Sequence, residues 1–364
     1  MTRFAAAAAA LLATTSLATA GGIERSNQSM AILFEEGTYL QFGLGHVGPS
    51  VSGVGPNVSV SGRTSTGDMA PSYNSPTVSF RSDLTDKLSF GFIIDSHVGA
   101  DAHYPAGTTY LARGTTAELD GSAFTALLRY EMEGNVSVHG GLRVSDIEGT
   151  ARIPFVNAAR GGYALDVEGG QKLGYVLGAA YEMPEIAMRV ALTYNSAITH
   201  KLSGTNGPLA TPTALPTSFD STIPQSVMLE AQSGIAANTL LFGSVRWVDW
   251  SEFDIIPPLL GGNALVDYEH DTTTYTLGLG RRLNENWSGA VSLVHEKEVG
   301  NATDLSPVDG RTGIGLGVTW ENERFEVTGG VQYSRLADTD TPALGAAFRD
   351  NKTLAAGLRL GFRF

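Results

Sequence analysis

Apolar residues return at every second position in segment after segment of this chain. At the C-terminus Leu354, Ala356, Leu358, Leu360, Phe362 and Phe364 alternate with Ala355, Gly357, Arg359, Gly361 and Arg363. In an extended strand the two sets point to opposite faces. The same period runs through residues 88–94, 124–130, 188–194, 314–320 and 325–333. One face is greasy, and the other is small, polar or cationic. A helix cannot sustain a period of two, and no run of about 18 uncharged apolar residues offers a transmembrane helix.

Composition narrows the choice. Glycine is 44 of 364 residues and only 17% are charged, against about 25% in an average soluble domain. Such a chain is too apolar for disorder. It is also too rich in glycine for a helical enzyme, since each glycine weakens a helix by about 1 kcal/mol relative to alanine. With 24 Lys and Arg against 37 Asp and Glu, a nucleic-acid partner is excluded, because phosphate binding needs clustered cations. Cysteine is absent, so neither disulfides nor thiolate metal sites are available. Residues 1–20 read as a secretory signal peptide. Arg3 precedes an apolar run over 4–13, and Ala18-Thr19-Ala20 is a small-x-small cleavage site before Gly21. An exported chain of alternating strands points to a closed transmembrane antiparallel β-barrel.

Fourteen strands are expected, at about 39–54, 75–83, 87–99, 117–132, 135–153, 164–182, 186–202, 222–235, 239–253, 267–283, 286–299, 311–321, 325–338 and 351–364. Every second link is tight and the others are long, as when one rim faces the periplasm and the other the exterior. Tyr130, Tyr194, Trp287, Trp320 and Phe364 fall near strand ends, where interfacial aromatic girdles sit. Residues 21–38 do not alternate and carry one apolar cluster at 30–34. They are expected to form a short plug inside the barrel of residues 39–364.

Several stretches resemble the long-chain fatty acid outer-membrane transporter family (FadL/TodX-like). Ile223-Pro224-Gln225-Ser226-Val227 opens a strand as in that family. Residues 245–253 carry its W-x-x-W-S-x-F strand end as Trp247, Trp250, Ser251 and Phe253. Residues 283–298, LNENWSGAVSLVHEKE, and 86–92, DKLSFGF, resemble its turn-and-strand units. The resemblance implies a fourteen-stranded barrel, an internal plug and passive passage of hydrophobic molecules, fatty acids first. The chain departs from the family in its short N-terminal segment, which lacks an Asn-Pro-Ala tripeptide.

Strand parity places Arg81, Arg129, Arg143, Arg189, Arg246, Arg282 and Arg359 inward, because a cation facing lipid at the midplane costs about 2–4 kcal/mol. They could bind a ligand carboxylate. They could equally pair with Glu118, Asp120, Glu148, Asp166, Glu168 or Glu326 as a bracing lattice. Met30, Ile32, Leu33, Phe34, Phe42, Phe242 and Trp250, with Arg246, are the candidate ligand-binding set, since a lipid-like ligand wants an apolar pocket with few polar anchors. The seven histidines show no metal spacing, and no nucleophile elbow is present. No enzyme activity and no cofactor are expected. The alternatives are a general diffusion porin and a structural or adhesive barrel. The expected partners are hydrophobic small molecules or fatty acids, outer-membrane lipid, and the barrel assembly machinery that would recognise Phe364. Deleting Phe364 is expected to lower the yield of heat-modifiable barrel in the outer membrane, read by gel shift. An undiminished yield would remove Phe364 as an assembly signal.

Overall fold

The computed structural model describes residues 22–59, 61–156, 161–211 and 214–364. The expected signal peptide, with Ala20 and Gly21 at its expected cleavage point, lies outside the described residues. No described helix is long and apolar enough to cross a membrane. The wall is one closed antiparallel sheet. Its strands are β1 (Tyr39–Ser50), β2 (Tyr73–Asp83), β3 (Leu88–His103), β4 (Thr116–Glu131) and β5 (Val136–Ile153). Then come β6 (Tyr163–Glu168 and Lys172–Met183), β7 (Met188–Asn195 and Ile198–Gly207) and β8 (Leu215–Ile223 and Ser226–Ala236). The remainder are β9 (Thr239–Val248), β10 (Thr272–Arg282), β11 (Trp287–Glu296), β12 (Arg311–Glu321), β13 (Phe325–Leu336) and β14 (Lys352–Arg363). β1 closes the circle on β14, from Tyr39 opposite Arg363 to Ser50 opposite Lys352.

The expected faces hold. Leu44, Leu142, Leu177, Leu277, Leu316 and Leu358 stand exposed on the outer surface, while Thr125, Thr319, Thr328 and Ser334 are buried within. The expected strand bounds shift where loops begin early. Residues 249–253 leave the wall after Val248, and Trp250–Glu252 turns inward as one 3-10 turn. β8 begins at Leu215, earlier than expected, and is interrupted at Pro224, which has no N–H for the ladder.

β3 to β8 run on past the apolar belt. There the outer face turns acidic, with Glu118, Asp120, Glu148, Asp166 and Glu168 exposed. This corrects the expectation that these acids pair with lumen arginines. Beyond the bilayer an outward carboxylate is solvated, so nothing drives it inside. Above the closure seam, Ser52–Pro56, Arg63–Asp68, Thr339–Asp340 and Ala347–Phe348 form a four-stranded cap from the first and last long loops. Tyr104, Tyr110 and Phe348 are its buried centre.

Leu358→Arg should cost about 2–4 kcal/mol in bilayer unfolding, as expected for a cation on the lipid face. Gly357→Ser, one residue along and facing the lumen, should be mild. Equal effects would reverse the face assignment.

Candidate functional site

The ladder between β2 and β3 stops at Thr77 opposite Asp95. Beyond it β3 pairs only with β4, and a register shift falls between Asp95 and Val98. This bulge turns both His97 and Val98 inward, and Gly121 opposite them has no side chain to collide. The N-terminal segment supplies the missing partner. Arg25 N–H donates to the His97 carbonyl at 3.0 Å, and Gly99 N–H to the Ile23 carbonyl at 2.7 Å. Arg25 also ion-pairs with Asp101 and lies 3.9 Å over the Tyr73 ring.

From there the segment runs along the inner side of the wall. The Glu24 carboxylate accepts one bifurcated hydrogen bond from Arg246 Nε–H, with its two oxygens at 3.0 and 3.1 Å, and another from Nη2. Gln28 accepts from Arg143, and Ser29 donates to Glu230 at 2.6 Å. Met30, Ile32 and Leu33 are buried against Tyr39, Ile93, Leu127 and Val176. Phe34 is held between two guanidiniums, with Arg129 at 4.7 Å and Arg189 at 4.3 Å from its ring centre.

Above Ile23 lies an apolar cavity of about 60 Å³. Ala102, Ala151, Leu165 and Val167 of the wall form its sides, with Val266, Tyr268 and Leu305 from the long loops over it. Among the described residues no Lys, Arg or His lines it. Burial pushes the Tyr268 hydroxyl up to about 12, so the ring adds no charge. Trp250 and Phe253 pack edge-on at its margin, and Trp250 also meets Tyr268 edge-on.

The expected ligand set is therefore not one site. Met30, Ile32, Leu33 and Phe34 pack against the wall below the cavity. Trp250 joins the apolar cluster beside it. Phe242 is buried elsewhere, over Gly278 and against Leu240. Phe42 is a correction. It stands on the outer face, 43% exposed, edge-on to Phe362, because β1 parity sends Leu40, Phe42 and Leu44 outward together. Arg246 is inward but already held by Glu24. Five of the seven expected arginines are in ion pairs: Arg81 with Asp83, Arg129 with Glu182, Arg246 with Glu24, Arg282 with Glu321 and Arg359 with Glu326. Sequence reading missed Ile23 and Tyr268, whose neighbours arrive from distant loops. It also missed Ser145 Oγ bridging His97 and His200 at 3.0 and 3.2 Å; no local spacing announces that cluster.

A family model, outer membrane protein transport protein (OMPP1/FadL/TodX), matches residues 5–356. The chain belongs to this family. It is an outer-membrane barrel for the passage of hydrophobic compounds, not an enzyme. Its fold is similar to a crystal structure of a Pseudomonas aeruginosa FadL homologue, at 14% identity and a TM-score of 0.78, covering 97% of this chain and 96% of that one. It is also similar to the Pseudomonas putida toluene transporter TodX, at 12% identity and a TM-score of 0.65, covering 97% and 98%. The Ralstonia pickettii toluene transporter TbuX follows at 14% identity and a TM-score of 0.63, covering 96% and 97%. At such identities the structural likeness speaks to fold alone. No curated protein matches the chain.

Arg246→Ala would leave the Glu24 carboxylate without its partner in a poorly solvated place, a loss of about 3–5 kcal/mol for such pairs. The N-terminal segment should undock, seen as a mobile spin label at position 26. An unchanged spectrum would show that the ion pair does not hold the segment.

Proposed function

We propose that this transporter carries small neutral hydrophobic compounds, of the size of a monoaromatic hydrocarbon, through the apolar cavity above Ile23. The observation that carries the reading is the lining: hydrocarbon on nearly every side and, among the described residues, no cation to hold a carboxylate. Hydrocarbon burial supplies roughly 25 cal/mol per Å², so such a site needs no polar anchor. The cavity is smaller than the roughly 150 Å³ that accepts a benzene. A ligand must therefore displace a loop above or Ile23 below. Moving Ile23 draws on the segment that fills the break between β2 and β3, which couples occupancy to the segment's docking. In this reading residues 22–38 are the plug that keeps water-soluble solutes out. The lipid-facing rows seat the barrel in the outer membrane, and Phe364, 82% exposed at the end of one such row, is the handle for the assembly machinery.

A fatty acid is the second reading, and one observation favours it. Arg25 and Arg246 flank Ile23, each held by a carboxylate. If the segment withdrew, Arg246 would be free to take a ligand carboxylate instead of Glu24.

Ala151→Phe fills the cavity from the wall. Uptake of labelled toluene into cells or vesicles should fall at least tenfold while the barrel stays heat-modifiable. Oleate uptake measured in parallel separates the two readings. Toluene uptake that survives Ala151→Phe would end the cavity reading. Oleate carried and toluene refused would replace it with the second.

A further inference from the structure

The apolar cavity carries a polar spot on its loop side. Tyr268 lines it from the link between β9 and β10, and Ser306 from the link between β11 and β12. Tyr268 is 1% exposed, yet its hydroxyl has no hydrogen-bond partner among the described residues. The Ser306 hydroxyl approaches it without closing a bond of normal length and angle. A buried tyrosine hydroxyl ordinarily finds a partner. One left without costs free energy that a ligand oxygen can recover.

Tyr268 is also held in place. Its N–H donates to the Phe253 carbonyl at 3.2 Å. Its ring stacks on Phe253 with centres 5.5 Å apart, and Trp250 meets it edge-on at 5.7 Å. Just before it, Asp254–Ile255 pairs with Val266–Asp267 and closes the link into a short hairpin. Leu305 and Ile23 belong to other parts of the chain and share none of these bonds. Room for a ligand therefore comes from them, and the hydroxyl keeps its place beside the cavity. Burial keeps the phenol protonated, so it offers a donor. Asp309 stands near enough for its charge to raise the phenol further, and the same charge repels a ligand carboxylate.

We infer that the Tyr268 hydroxyl is a hydrogen-bond donor to the ligand, so that the cavity accepts small aromatic compounds carrying one neutral accepting oxygen, such as a ketone, as well as plain hydrocarbons. The inference rests on the cavity reading above and defines its substrate class more closely. A carbonyl entering a wholly hydrocarbon cavity would lose its water contacts without return. Here it regains one bond, which also fixes the orientation of the ligand, while the hydrocarbon lining holds the ring.

The test compares acetophenone with α-methylstyrene, which has the same shape with a CH₂ group in place of the oxygen. Binding of each labelled compound to the full mature chain in detergent is measured by equilibrium dialysis, with empty micelles subtracted. Tyr268→Phe keeps the ring and removes only the hydroxyl. It should weaken acetophenone binding about fivefold, the worth of one neutral hydrogen bond of about 1 kcal/mol, and leave α-methylstyrene within twofold of wild type. Ala151→Phe, which fills the cavity, should abolish binding of both. If Tyr268→Phe weakens the two compounds equally, Tyr268 is a packing residue and the inference fails while the cavity reading stands. If it weakens neither, the hydroxyl does not meet the ligand, with the same consequence. If wild type binds neither compound, or Ala151→Phe leaves both bound, the cavity reading itself falls and takes the inference with it.

Discussion

A backbone N–H or C=O left unpaired in hydrocarbon costs several kcal/mol, and every other feature of this protein is arranged around that cost. β1 must find β14, or two edges would face lipid. The wall is therefore circular, and its turns are tight on one rim and long on the other. The same rule explains why the break in the wall is occupied. Where β3 leaves β2 beyond Asp95, the backbone of Ile23 to Arg25 pairs with His97 to Gly99. The N-terminal segment is thus a piece of the sheet. Moving it exposes an edge, so it moves only if something else in the lumen compensates.

Charge follows from the same constraint. Lipid forces the arginines inward, and once inside they need partners in a space with little water. The wall supplies some, as Glu326 does for Arg359 and Arg363. The segment supplies others, as Glu24 does for Arg246 and the Phe34 ring for Arg129 and Arg189. A short segment of mixed polarity is thereby fixed at many points along its length. An apolar cavity lies under the long loops on one side of it, and a cavity of mixed lining against the seam strands on the other. A single peptide lines both, with Ile23 at the apolar cavity and Arg25 at the mixed one.

Much of the fold was legible in the sequence, because a period of two is a local property that lipid makes absolute. The lipid-facing rows of β4, β7, β12 and β14, the short and long links and the inward arginines could all be read one strand at a time. The acids of the upper strands misled. Glu118 and Asp166 obey the same alternation as the membrane belt, and alternation alone does not say where the bilayer ends. Phe42 misled for a related reason. Its chemistry matches the apolar residues of the N-terminal segment, although its own strand parity sends it to lipid.

The sequence by itself determined that the chain is a closed barrel and which side of each strand meets lipid, since both follow from the alternation of neighbours along one strand. It determined equally that a short non-alternating stretch precedes the barrel. Only the tertiary structure decided what that stretch does. The pairing of Ile23 with Gly99, of Glu24 with Arg246 and of Arg25 with Asp101 joins residues tens to hundreds of positions apart. The apolar cavity is made of Ile23, wall residues from β3 to β7 and loop residues from Ile255 to Leu305. No periodicity links these positions. They meet because closing the sheet brings the inner faces of distant strands around a common space, and its shape exists only once the circle is complete.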